Sequence, residues 1–233
     1  MNDFDRIPLG IADFQEIRRE GLLYADKTEL IYKLIKVRRP FFLSRPRRFG
    51  KSLLVSTLKA LLRGGNDNKK LFEGLWLHDH TDYDFTPNPV IHLSLSSVAT
   101  ERYLEINIDP DQFKDDDPLE LTKEQKIEQA KITIAVNLEL RSILNKASRA
   151  ENLTLKEDSS ARMFDELIDR IYSKYSRKVA ILIDEYDSPI LAQINNNNRA
   201  TAVRNVFKWL TLSLTLMILL RRQYLRGGKP RRP

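Results

Sequence analysis

The stretch Ser44-Arg45-Pro46-Arg47-Arg48-Phe49-Gly50-Lys51-Ser52 decides how this chain is read. A loop that grips phosphate needs a strand, a turn whose backbone amides converge, a lysine, a hydroxyl for magnesium and a helix start, in that order. Here Phe41 to Leu43 supplies a short apolar strand, Gly50 the close backbone approach, Lys51 a cation for the outer phosphates and Ser52 the metal-binding hydroxyl, with a helix from Leu53 onward. One position departs from the usual pattern: the first glycine is replaced by Arg45, so the turn falls to Arg45-Pro46, with φ of Pro46 held near about −65°. Taken alone, the segment equally fits a basic loop before a surface helix, because Gly-Lys-Ser is a common tripeptide.

A second segment weighs against that reading. Lys178-Val179-Ala180-Ile181-Leu182-Ile183 is a continuous β-branched and apolar run, the pattern of a strand buried on both faces. It delivers Asp184-Glu185-Tyr186-Asp187 at its carboxyl end, where ligands of open α/β sheets bind. In a P-loop nucleotide hydrolase such an Asp holds magnesium and an adjacent Glu orients and deprotonates the attacking water, so Asp184 fits the first role and Glu185 the second. An isolated Asp-Glu pair is more often a solvated acidic loop. Two partial motifs in the right order on the right elements predict a nucleotide site.

Between these segments the chain alternates helix and strand signals. Lys27 to Val37 reads as an amphipathic helix, with Asp26 and Glu29 at capping-box spacing and Pro40 beyond its end. Leu54, Leu58, Leu61 and Leu62 share the face of a helix from Lys51, which Gly64-Gly65 stops. Pro89 to Leu95 reads as a strand, Leu121 to Ala147 as a long helix, and Ala161 to Tyr175 as another with Met163, Phe164, Leu167, Ile168 and Ile171 on its apolar face. The expected fold class is α/β, a three-layer P-loop core with a mostly parallel sheet.

The 233 residues, 42% hydrophobic and 30% charged, suit an ordinary globular protein. No apolar run reaches the roughly 20 residues that cross a bilayer, and no basic-then-apolar leader opens the chain, so it reads as cytoplasmic and without a membrane partner. With no cysteine, disulfides, thiolate catalysis and Cys-ligated zinc are excluded. Of the net charge of +7, six positives lie among residues 221–233 (Arg221, Arg222, Arg226, Lys229, Arg231, Arg232), so the body is nearly neutral.

The residues quoted above also carry a family resemblance. Pro8-Leu9-Gly10-Ile11 with Asp13-Phe14, Tyr24-Ala25-Asp26-Lys27-Thr28, the loop from Ser44 to Leu53, Leu71-Phe72-Glu73-Gly74-Leu75 and Asp184-Glu185-Tyr186-Asp187-Ser188-Pro189-Ile190 together resemble the AAA-ATPase-like family over about residues 6–210. The Arg-Pro-Arg-Arg-Phe-Gly-Lys-Ser form of the loop makes the missing glycine a family trait. The resemblance implies a P-loop ATPase core of the additional-strand catalytic-Glu type, often fused to a C-terminal restriction-type nuclease domain, with ATP and Mg2+ as ligands. It puts Lys51, Ser52, Asp184 and Glu185 at the motif positions, with Arg47, Arg48, Phe49, Gly50, Lys51, Ser52 and Leu53 around the nucleotide.

The expected organisation is an N-terminal helical segment over 1–40, a nucleotide-binding domain over 41–210 and an atypical apolar-then-basic tail over 211–233. Similar proteins follow the acidic strand with another strand ending in a polar sensor. Here Leu210 to Leu220 leads into the basic tail instead, which suggests a truncated member missing its C-terminal strands, with the reading frame shifted near residue 210. The readings that stay open are an ATPase, a nucleotide-dependent switch attached to DNA or a protein, and an inactive fragment; oligomerisation is compatible with each. His78 and His80 would share a side if extended, but a polar loop is the simpler reading, and Asp109 to Asp117 lacks the Gly and distal Glu of a calcium loop.

Overall fold

The computed structural model describes residues 6–37, 43, 49–98, 101–114 and 121–208. Their order is α1 (Phe14–Arg19), α2 (Thr28–Lys36), α3 (Lys51–Arg63), α4 (Gly65–Leu71), α5 (Trp76–His80), β1 (Val90–Ser94), α6 (Lys123–Ala150), α7 (Ser160–Tyr175), β2 (Ala180–Asp184) and α8 (Ser188–Leu191). Two 3-10 turns, Glu101–Glu105 and Pro110–Gln112, lie between β1 and α6, and residues 197–208 are helical. Among the described residues β1 and β2 form a two-stranded parallel sheet, consistent with an α/β fold. Contacts divide the chain into two compact units, residues 1–92 with 171–184 and residues 93–170 with those from 185 on.

The first unit is built around aromatic rings. Phe14, Leu61, Phe72 and Leu77 are wholly buried, and Leu182 of β2 packs on the same cluster. The ring of Phe14 meets Tyr24 edge-on at 5.1 Å and lies 4.7 Å from Phe72, which in turn approaches Phe85 at 5.4 Å. Such offset contacts add to burial because ring edges and faces carry opposite partial charge. Helix ends are tied by side chains. Asp13 caps α1, accepting from the Glu16 amide at 3.0 Å and from the Ser56 hydroxyl of α3 at 3.0 Å, while the Phe14 amide donates to that hydroxyl at 2.9 Å.

Asp26 does similar work between α2 and α5, in a way that corrects the expected capping box. Its carboxylate accepts from the Thr28 amide at 2.8 Å and from the Trp76 amide at 2.7 Å, and Thr28 Oγ1 accepts from the Leu77 amide at 3.0 Å. Burial alone would raise the Asp26 pKa, but these amide donors outweigh it and hold it below the ordinary carboxylate value. Glu29 does not reach back; it pairs with Lys33 one turn on. α3 ends at Gly64, where φ is 54°, and the next amide, Gly65, donates to Phe85 O at 2.8 Å. The Asn88 amide donates to Leu62 O at 3.0 Å, so the chain leaves α3 and returns beside it just before β1.

β2 enters the sheet with the Ala180 amide donating to Pro89 O at 2.9 Å. All five of its residues are half-buried, which corrects the expectation of a strand covered on both faces. Among the described residues it has one strand neighbour, and a continuous β-branched run reports strand propensity more directly than cover.

In the second unit, α6 begins with a reciprocal cap. The Gln125 amide donates to Thr122 Oγ1 at 3.3 Å and the Thr122 amide donates to Gln125 Oε1 at 3.0 Å. Ile132, Val136, Leu140 and Leu144 of α6 and Phe164 and Leu167 of α7 are buried. Polar clasps fix the partners: Arg102 to Glu139 at 2.7 Å, Arg199 to Glu128 at 2.7 Å, and Asn198 Oδ1 accepting from Gln129 Nε2 at 2.6 Å.

Candidate functional site

Gly50 adopts φ 72°, ψ 24° as the N-cap of α3, a left-handed turn that glycine makes without steric cost. Its carbonyl accepts the Leu54 amide at 3.0 Å, which starts the helix ladder. The amides of Lys51, Ser52 and Leu53 therefore precede that ladder, and the first helical turn contains no acid. Over 13 residues the peptide dipoles of α3 add up to a partial positive charge at this end. Ser52 and Phe49 are exposed, Lys51 is half-buried, and the Leu53 side chain packs on the core of the first unit, so only its backbone is available to a ligand. Arg47 and Arg48 lie outside the described residues, as does the rest of the loop from Ser44 and the strand expected at Phe41–Leu43 except Leu43 itself.

α3 packs against β2, and β2 ends in Asp184. The structure thus brings the helix that Lys51 and Ser52 begin onto the strand that Asp184 closes, within one unit. Glu185 follows with φ 55°, an uncommon conformation for a residue with a Cβ, and is exposed. The Ser188 amide donates to its carbonyl at 3.0 Å, so the chain turns at once into α8.

One residue near this arrangement carries no motif. His92, in the middle of β1, has a buried Nε2 with no hydrogen-bond partner among the described residues. Burial and the nearby Lys59 lower its pKa, Asp184 opposes the shift, and Arg63 adds to it. A single histidine among the apolar residues Val90, Ile91 and Leu93 is the signal that the sequence carries.

The other ligand-type residues do not assemble. Trp76–His80 is a helix, so the polar loop expected there is corrected: His80 stacks on Trp76 at 5.5 Å and His78 Nδ1 contacts Asp79 at 2.8 Å. Asp109 caps a 3-10 turn by accepting the Asp111 amide at 3.0 Å. Among the described residues no group of three or more His, Asp or Glu side chains is placed to hold a metal. No helix among them is long and apolar enough to cross a membrane.

Comparison with known proteins supplies the family context. A family model described as a predicted AAA-ATPase matches residues 8–228, running past residue 210 where the sequence reading placed a departure. A protein of Azotobacter chroococcum mcd 1, described as "Uncharacterized protein in vnfD 5'region", is 31% identical over 201 residues, which is 86% of this chain and 32% of that protein. The chain thus spans about a third of the length of this curated relative. No solved structure matches.

Proposed function

Because this chain belongs to the AAA-ATPase-like family of predicted AAA-ATPases, matched over residues 8–228, we propose that it binds ATP with magnesium and hydrolyses it. The observation that supports the reading is the packing of α3, the helix that Lys51 and Ser52 begin, on β2, the strand that Asp184 ends, two elements more than a hundred residues apart in sequence that lie in one unit. The fold that goes with it is a three-layer P-loop core with a mostly parallel sheet.

Each residue then has a task. The left-handed turn at Gly50 lets the backbone approach the phosphates, and the first amides of α3 donate to their oxygens. Lys51 holds the outer phosphates, with Arg47, Arg48 and Phe49 in the loop ahead of it. Ser52 and Asp184 supply a hydroxyl and a carboxylate, the hard oxygen donors that magnesium takes. Bound there with the nucleotide, the ion would neutralise charge on the phosphate oxygens. Glu185 accepts a proton from the water whose oxygen bonds to the γ-phosphorus as the bond to the leaving ADP oxygen breaks.

Titration with a fluorescent ATP analogue and measurement of phosphate release test this in the wild type, Lys51→Ala and Glu185→Gln. Lys51→Ala is expected to weaken binding by at least about tenfold through loss of a charge-assisted contact. Glu185→Gln should retain binding and lose turnover. Binding without turnover in the wild type would make the domain a nucleotide-gated switch, and absence of binding would overturn both readings.

A further inference from the structure

The C-terminal half of α6 stands apart electrostatically from the rest of that helix. Earlier in the helix, Glu128 holds Arg199 and Glu139 holds Arg102. From Leu140 to Ala150 there is no acid, and Arg141, Lys146 and Arg149 are exposed with no ion pair among the described residues. Leu138, Arg141, Ser142, Asn145, Lys146 and Arg149 together line an open groove of about 550 Å³. At about 100° per residue they fall within an arc of roughly 140°, and Arg141 to Arg149 spans a rise of about 12 Å. Three cations with two hydrogen-bonding side chains between them form one continuous face.

Several occupants can be set aside. The acidic segment Asp115-Asp116-Asp117-Pro118-Leu119-Glu120 joins Lys114 to Leu121. Lys114 O accepts from Lys126 Nζ at 3.0 Å, which sets the start of this link beside the opposite end of α6. Arg141 lies about 22 Å further along the helix. Lys114 and Leu121, the described residues on either side of the link, thus both lie at the far end of α6 from Arg141. The basic stretch 221–232 and a second copy of this same face are both repelled by like charge. A bilayer surface needs a broad apolar face, and among the described residues that line this groove only Leu138 is apolar.

We propose that this face of α6 docks the phosphodiester backbone of a nucleic acid. The guanidinium forks of Arg141 and Arg149 match phosphate oxygens in pairs, Lys146 adds a point charge, and Ser142 and Asn145 donate hydrogen bonds between them. Duplex DNA carries a charge about every 1.7 Å of its axis, so the face covers several phosphates. With no aromatic side chain among the described residues of the groove to stack on bases, recognition is indifferent to sequence and steeply salt-dependent. The proposal does not depend on nucleotide binding by α3.

Fluorescence anisotropy of a labelled duplex, titrated with the full chain at several salt concentrations, tests it. The triple variant Arg141→Gln, Lys146→Gln, Arg149→Gln keeps good helix formers at exposed positions. It should bind at least about tenfold more weakly at 0.1 M salt, roughly, and its log–log salt slope should shrink by about 2 to 3, near 0.9 per lost phosphate contact. A control with the same charge change elsewhere, Arg19→Gln, Lys69→Gln, Lys70→Gln, should stay within about twofold of the wild type, because long-range charge is screened. Wild-type affinity in the groove variant would assign binding to residues 221–232, and equal losses in both variants would assign it to net charge; either overturns the proposal. So would absence of duplex binding by the wild type, including the case where phosphatidylserine vesicles or an acidic peptide bind through the groove instead. If the triple variant loses helicity by circular dichroism, single Lys146→Gln and Arg149→Gln variants decide, each lowering the slope by about 0.9 or leaving it unchanged.

Discussion

His92 places a titratable ring where its charged form is unwelcome. Its Nε2 is buried without a hydrogen-bond partner among the described residues, and burial, then Lys59, then Arg63 against the pull of Asp184, leave its pKa below the ordinary histidine value. The unfolded chain therefore binds its proton at higher pH than the folded chain does. Stability from this residue is complete above about pH 6.5 and is lost as pH falls through the lowered folded value. Chemical denaturation of wild type and His92→Leu between about pH 7 and pH 5 should show a smaller loss in the variant. Gly64 is constrained by space rather than charge. A Cβ there would lie 2.2 Å from Phe85 O, and φ 54° with ψ −153° is a region that suits glycine alone. Gly64→Ala should lose at least about 3 kcal/mol, since left-handed strain and a backbone clash act together. An unchanged thermal midpoint would contradict that.

At the scale of elements, caps separate what local sequence encodes from what it does not. The reciprocal bonds of Thr122 and Gln125 start α6, and Thr122→Ala should cost about 1 kcal/mol by urea denaturation. Apolar periodicity alone starts the helix two residues earlier, at Leu121, because it does not register the cap. At α2 the opposite happened: Asp26 and Glu29 have cap spacing, yet Asp26 binds Trp76, fifty residues away, and Glu29 binds Lys33. Spacing cannot distinguish a local acceptor from one recruited across the fold. Apolar periodicity is more dependable, because a buried face needs an uninterrupted stripe. Met163, Phe164, Leu167, Ile168 and Ile171 are all buried on α7, as their spacing predicts. Likewise α3 starts at Lys51 and ends before Gly64, where one glycine turns the chain in and the next turns it out.

For the whole molecule, the candidate site is legible to the extent that its parts are local. Gly50 at a helix start and Asp184 at a strand end follow from short patterns, whereas the pairing of β1 with β2 and the division into two units rest on contacts between distant segments that periodicity does not encode. The boundary between the units falls between Asp184 and Glu185, inside what the sequence reads as one acidic motif. The roles of His92 and of the groove on α6 do not follow from short patterns for a related reason: each is defined by what surrounds it. The mounting of α3 has a mechanical meaning. Its heel is clamped by the Gly65 and Asn88 bonds at 2.8 and 3.0 Å, and its middle is strapped to α1 through Ser56 at 2.9 Å. The toe, Gly50-Lys51-Ser52, is the end to which neither clamp is attached. A load at the toe is therefore carried along α3 to α1 through Ser56, to β2 on which the helix packs, and at the heel to the Phe85–Asn88 segment that feeds β1.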